Sequence, residues 1–234
     1  MLDLFLDSAD LAQVEPLLAT GLFAGVTTNP SLLARAGVRS DELPAVVDRM
    51  RAAGARTLFV QTWGATTEDL LGNAREIRDR CGDVGIKIPV TPAGIAATRA
   101  LADSGVVTLV TAVYNHVQIL PAIAAGATFV APYVGRMTDN GRDGVGEVLT
   151  MQRILDAVGA PTRLLVASLR SPADVARLAA GGVDCFTIAP AMWEQLLEEP
   201  LTTDAVRVFE DDVARTRAPR AEHHSPGHHS PGHH

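Results

Sequence analysis

The chain has 234 residues, is 47% apolar and 20% charged, and carries a formal net charge of −7. That is a globular composition with length for one large domain. No apolar stretch reaches the roughly 18 residues of a membrane span, no basic segment precedes an apolar run at the N-terminus, and no basic stripe suits nucleic acid.

Short, β-branched apolar runs recur along the chain at 2–7, 24–28, 57–61, 84–90, 106–112, 128–133, 163–168 and 185–189, each followed by a helical pattern. The first helix carries Leu11, Val14, Leu17 and Leu18, with Ser8 and Asp10 placed to cap it. After the third run, Thr66 and Thr67 precede Glu68-Asp69, and Leu70, Leu71, Ala74 and Ile77 mark a helix face. Pro92 and Pro172 fall in first turns, and glycines at 21, 54, 105, 126 and 181–182 break the chain ahead of later runs. A ninth helix follows at about 203–217. Near-continuous apolar strands imply a sheet covered on both faces. Eight such units predict an α/β fold, a single (β/α)8 TIM barrel with an extra C-terminal helix, as one domain over residues 1–221. Residues 222–234 hold six of the seven histidines in His-His pairs separated by Ser-Pro-Gly. They are expected to be a disordered end or an affinity tag.

In such a barrel the chemistry lies at the C-terminal ends of the strands. The polar residues there are Asp7, Thr27 and Asn29, Gln61, Lys87, Thr111, Tyr133 with Arg136, and Ser168 with Arg170. Lys87 is the single lysine, set between two isoleucines in a chain that uses arginine for every other cation. Arginine replaces lysine on a wet surface but not as an amine nucleophile. A lysine inside the barrel mouth, partly desolvated, favours the free amine and can attack a carbonyl to form a Schiff base. Its iminium draws in electrons, so an adjacent carbon–carbon bond can break or form. The plainer alternatives are a lysine snorkelling from a strand end or one paired with Asp7. Tyr133 and Asp7 are the acid–base candidates, although Tyr133 also suits packing and Asp7 a cap. His116, the one histidine outside the tail, reads better as a solvated helix residue. Asn29 and Thr27 either orient substrate hydroxyls or shape the Thr-Asn-Pro turn. Arg136, Ser168 and Arg170, close to a helix N-terminus after the seventh strand, suggest an anion site and a phosphorylated substrate. Cys81 and Cys185 lack metal-ligand spacing. No metal site or cofactor is expected, and the protein reads as reduced and cytoplasmic.

The segments Gly25-Val-Thr-Thr-Asn-Pro-Ser31, Ile86-Lys-Ile-Pro-Val-Thr91, Thr111-Ala-Val-Tyr114, Ala131-Pro-Tyr-Val-Gly-Arg136 and Val166-Ala-Ser168 resemble the transaldolase family. They are similar to its short-chain branch, the small transaldolases and fructose-6-phosphate aldolases, from about Leu4 to Phe209. The resemblance implies a metal-free class I mechanism, with Lys87 as the Schiff-base lysine. It implies that Asp7 and Asn29 contact donor hydroxyls and assist proton transfer, and that Thr111 helps hold a catalytic water. Arg136, Ser168 and Arg170 match the phosphate-binding region. Transaldolases usually carry Glu where this chain has Gln61, and Phe where it has Tyr133. That pattern resembles the aldolases, with the Tyr133 phenol taking over acid–base work. The expectation is therefore reversible cleavage of fructose 6-phosphate to dihydroxyacetone and glyceraldehyde 3-phosphate. The alternative is transaldolase, passing a dihydroxyacetone unit between sugar phosphates in the pentose phosphate pathway. A pyridoxal-phosphate barrel and a non-catalytic barrel are the more distant alternatives. The resemblance also implies a ring-like homo-oligomer, a pentamer or decamer. Trp63, Asn115 and His116 depart from the family pattern.

Overall fold

A computed structural model describes residues 2–217; the His-rich run lies outside the described residues. By its internal contacts the chain divides into two compact units, one ending at Leu196 and the other beginning at Leu197. The first contains eight parallel strands: β1 (Asp3–Asp7), β2 (Phe23–Thr27), β3 (Thr57–Gln61), β4 (Gly85–Pro89), β5 (Thr108–Val113), β6 (Phe129–Pro132), β7 (Arg163–Leu164) and β8 (Cys185–Ile188). Their order is β7-β6-β5-β4-β3-β2-β1-β8. Val166 closes the ring: its N–H donates to Cys185 O at 3.0 Å, and its carbonyl accepts from Thr187 N–H at 2.9 Å. The predicted TIM barrel is the fold.

The helices are α1 (Leu11–Leu18), α2 (Pro30–Arg35), α3 (Leu43–Ala52), α4 (Thr67–Cys81), α5 (Pro92–Asp103), α6 (Ile119–Ala124), α7 (Val134–Asp139), α8 (Gly144–Val158), α9 (Pro172–Ala180) and α10 (Pro190–Leu197). Their starts follow from sequence. The Asp10 side chain accepts from Ala12 N–H and caps α1. Thr66 and Asp69 form a reciprocal capping box on α4, and its hydrogen bonds hold the Asp69 carboxyl below the usual range. Thr91 and Ser171 cap α5 and α9, each followed by proline in the first turn. The second unit holds α11 (Pro200–Arg217), which begins ahead of the predicted residue 203; it buries no residue and exposes Leu201, Val206, Val208, Phe209 and Val213.

Two departures position the site. The longest intervals between predicted strands, 24 to 57 and 128 to 163, each contain two helices rather than one. The extra members, α2 and α7, are short and start directly at a strand end. The seventh run, predicted as a strand over 163–168, is a ladder only to Leu164. Beyond it the chain changes partner: Val166 bridges Phe186 and Ala167 bridges Tyr133. Ser168 then takes a left-handed conformation, φ 60°, which breaks regular strand geometry.

Two apolar sets sort by strand alternation. Leu6, Ile86, Ile88, Val110, Val130 and Leu164 belong to the large core shared with the helices. Phe5, Phe59, Leu109, Ala131, Leu165 and Cys185 form a smaller cluster that fills the barrel. Phe59 lies 6.0 Å from Phe5 and 5.7 Å from Phe129, centroid to centroid, in tilted and edge-on packing. Gly85 leaves room for this aromatic floor, since a Cβ there would meet the Phe59 ring at 2.6 Å. Lys87, two residues further along β4, faces inward one layer higher.

Candidate active site

Lys87 is 1% exposed, yet among the described residues its Nζ has neither an ion-pair nor a hydrogen-bond partner. The salt bridge to Asp7 considered from sequence is not formed. The amine lies 5.8 Å from the centre of the Tyr133 ring and borders a mouth of about 200 Å³ at the strand ends. An enclosed, unpaired amine beside an opening is available to a carbonyl carbon, whereas an ion-paired ammonium is not.

Tyr133, 8% exposed, ends the sixth strand and sits at the N-cap position of α7. Its Oη and Thr111 Oγ1 share a buried hydrogen bond of 2.8 Å. Thr111 points inward by alternation with Leu109 and Val110, and β5 is irregular just beyond it: Ala112 has φ 58°, and the register shifts between Val110 and Val113. That left-handed alanine costs on the order of 1 kcal/mol, strain of a kind that clusters at functional sites. The chain re-emerges at Tyr114, whose ring meets the Tyr133 ring edge-on at 5.6 Å. The Arg136 guanidinium stacks over Tyr133 at 4.9 Å and donates to Tyr114 Oη at 3.3 Å. That bond is the main reason its pKa lies above the ordinary arginine value.

Across the mouth, Thr27 Oγ1 donates to Asp7 Oδ1 at 2.8 Å and contacts Thr187 Oγ1 at 2.7 Å. A hydroxyl has one proton, so Thr187 is the donor in the second bond. Asp7 thus receives the Thr27 hydroxyl, itself held by Thr187, and is not the cap of α1, which is Asp10. Asn29 is a cap: its side chain accepts from Leu32 N–H at 2.9 Å at the start of α2. It also borders the mouth, so the two readings from sequence coexist.

Ser168 and Arg170 line the same mouth as Arg136. Gly135 N–H donates to Ser168 O at 2.7 Å, and a Cβ on Gly135 would fall 2.3 Å from that oxygen and 2.7 Å from Arg170 Cγ. The glycine makes the slot through which Arg170 reaches the opening. Arg170 also pairs with Asp139 at 2.9 Å. Ser31 and Arg35 complete the rim.

Seven sequence-derived candidates, Asp7, Asn29, Lys87, Tyr133, Arg136, Ser168 and Arg170, share the mouth, with Thr27 and Thr111 bonded directly to two of them. Gln61 is the exception. Its register partner is Lys87, but it borders a separate, mostly apolar cleft of about 400 Å³ with Trp63, Leu33, Ile77 and Cys81. That cleft is the larger, but neither lysine nor histidine lines it. His116 is on a 3-10 turn, and its backbone N–H and Nδ1 both contact Glu147 Oε2 at 2.8 Å. Its side chain, 43% exposed, is thus partly solvated as expected and also tethered. Burial opposes ionisation of Glu147, but the bonds from His116 outweigh it and hold the carboxyl below the usual range. Thr187 and Arg35 were not anticipated, and Tyr114 was marked only as the end of the Thr111–Tyr114 segment. Thr187 had a signal, being an inward polar residue in an apolar run like Thr27.

The family described as Transaldolase/Fructose-6-phosphate aldolase matches residues 4–225. The chain is 34% identical over 215 residues to "Probable transaldolase" of Phenylobacterium zucineum, covering 92% of this chain and 98% of that protein. It is 37% identical to "Probable transaldolase" of Rhodospirillum centenum, covering 91% of each. It is 36% identical to "Probable transaldolase 2" of Bacillus cereus, covering 90% of this chain and 97% of that protein. No described helix is long and apolar enough to cross a membrane. With its closed barrel and matching length, the chain belongs to the transaldolase/fructose-6-phosphate aldolase family and is an enzyme of the class I aldolase and transaldolase type.

Proposed function

We propose that the enzyme moves a dihydroxyacetone unit between sugar phosphates through a Schiff base on Lys87. The buried, unpaired Lys87 amine at the mouth carries this reading. The relatives' names favour transfer over the expectation of free aldol cleavage.

The amine attacks the ketose C2 carbonyl, and loss of water gives an iminium. A base takes the proton of the C4 hydroxyl, the C3–C4 bond breaks, and its electron pair neutralises the iminium as an enamine. The aldehyde phosphate departs. Enamine attack on a second aldehyde forms the new bond, and water then frees Lys87. Tyr133, hydrogen-bonded to Thr111 and with its ring 5.8 Å from the amine, serves as the proton carrier. Asp7 and Asn29 take donor hydroxyls, while Arg136, Ser168 and Arg170 take the phosphate.

The second reading is the aldolase, in which the enamine carbon takes a proton instead of attacking an acceptor aldehyde, and water then hydrolyses the iminium to release dihydroxyacetone and free Lys87. It rests on Gln61, which cannot ionise, and on the Tyr133 hydroxyl. Glyceraldehyde 3-phosphate release from fructose 6-phosphate without an acceptor separates the two. Release of about one equivalent per site, restored by erythrose 4-phosphate, supports transfer; steady turnover supports the aldolase and overturns the first reading. Borohydride with donor should fix the adduct on Lys87, and an adduct elsewhere overturns the Schiff-base assignment. The pentose phosphate pathway and the cytoplasm are the setting this chemistry suits. The exposed apolar residues of α11 suit a ring-like oligomer, which sedimentation would measure.

A further inference from the structure

Among the three arginines of the mouth, Arg35, Arg136 and Arg170, Arg136 is the one held by phenol side chains. Arg170 has a carboxylate partner in Asp139, while Arg136 has no carboxylate partner among the described residues. It lies between two phenol rings: stacked on Tyr133 at 4.9 Å and bonded to Tyr114 Oη at 3.3 Å. A neutral partner fixes a guanidinium without cancelling its charge, so the cation is aimed and still free for an anion.

Tyr114 is in turn fixed from behind. Its N–H donates to Gln118 Oε1 at 2.9 Å. Asn115 caps the following 3-10 turn, and both His116 bonds tie that turn to Glu147 on α8. The ring also sets the Tyr133 plane edge-on at 5.6 Å. Holding a long side chain in its bound rotamer removes part of the ordering cost of binding.

We propose that Tyr114 is the positioning residue that presents Arg136 to a phosphoryl group, and so sets preference for phosphorylated over unphosphorylated sugars. The inference rests on the reading above that Arg136 takes the substrate phosphate.

The test compares wild type, Tyr114→Phe, Arg136→Gln and the double variant on fructose 6-phosphate and on fructose. Tyr114→Phe keeps the ring and removes only the acceptor. It should raise KM for the phosphoketose by about three- to ten-fold, the scale of one ordinary intramolecular hydrogen bond. Its kcat, and kcat/KM for fructose, should stay within about two-fold. In the Arg136→Gln background the same change should add nothing. Equal losses on both sugars would reduce Tyr114 to a packing residue, and additivity with Arg136→Gln would break the proposed link; either overturns the proposal while leaving the phosphate site intact. If Arg136→Gln itself treats the two sugars alike, the phosphate reading fails and the inference falls with it. Where fructose turnover is too slow, calorimetry with inorganic phosphate decides: Tyr114→Phe should weaken its binding by the same factor only when Arg136 is present, and unchanged binding overturns the proposal.

Discussion

Replacing Gly135 by alanine should strike both stability and phosphate recognition. The new Cβ would lie 2.3 Å from Ser168 O and 2.7 Å from Arg170 Cγ, against an ordinary contact of 3.4 Å or more. The obstacle is a backbone carbonyl, so either the start of α7 or the end of the seventh strand must retreat by about 1 Å. Overpacking of that kind costs about 1–3 kcal/mol, and the 2.7 Å bond from Gly135 N–H to Ser168 O contributes about 1 kcal/mol more. Urea midpoints should therefore fall, for a total loss of roughly 2–4 kcal/mol. A shift of about 1 Å in positioning groups can lower activity on the order of 100-fold, with the loss concentrated in KM for phosphorylated donors because Ser168 and Arg170 move together. Gly72→Ala is the matched control: its Cβ would meet nothing nearer than Arg75 Nη2 at 4.0 Å, and in the interior of α4 it should stabilise by about 0.5–1 kcal/mol. A Gly135→Ala protein with wild-type urea midpoint and wild-type KM would refute the claim that the missing Cβ places Arg170.

Three further outcomes follow from the same geometry. Lys87→Met should abolish turnover and borohydride trapping with little change in thermal midpoint, since Lys87 loses no ion pair or hydrogen bond and no side-chain nitrogen among the described residues is both buried and unpartnered; a clearly lower midpoint would mean the lysine is a stabilising element. Tyr133→Phe should lower kcat by about 10²–10⁴-fold while a donor adduct on Lys87 still forms, as expected of a lost proton carrier; loss of the adduct would place Tyr133 in Schiff-base formation. Burial pushes the Cys185 thiol up to about 12, whereas an unfolded thiol titrates near 8.5. The folded state then holds a proton that the unfolded state has lost, so stability is full below pH of about 8.5 and falls above it by about 1.4 kcal/mol per pH unit. Urea midpoints from pH 8 to 10.5 should show that slope, and Cys185→Ala should flatten it; an unchanged slope would locate the alkaline sensitivity elsewhere.

Much of this was legible because barrel strands advertise themselves. Near-continuous apolar runs give eight strands, and a polar residue inside such a run has few places to point except the mouth. Lys87, Thr111 and Asp7 follow from that rule, and Thr187 would have followed had it been applied to the last strand. What escaped depends on contacts distant in sequence. Gly135 looks like any turn glycine until Ser168 and Arg170 are brought against it. The helices α2 and α7 were hidden in long intervals whose length alone hinted at them. Gln61 has the right end of the right strand but borders a different cleft, and position along a strand does not reveal that. His116 had a bland reading because Glu147, its partner, lies on another unit of the barrel.

The closure at Val166 gives the barrel a built-in line of weakness. The sixth and seventh strands are joined by a ladder and by α7's bonds to Ala167 and Ser168, while the seventh meets the eighth through the two bonds of Val166 and, at the far end from the mouth, through the Arg163 pairs with Asp184 and Asp3. Arg136, Ser168 and Arg170 thus travel as one jaw, and Asp7, Thr27 and Asn29 as the other, with the lightest stitching on that side between them. A tool of this design can open its span for a longer sugar without disturbing the grip within either jaw. Amide exchange at Val166 and Thr187 reads out that play directly.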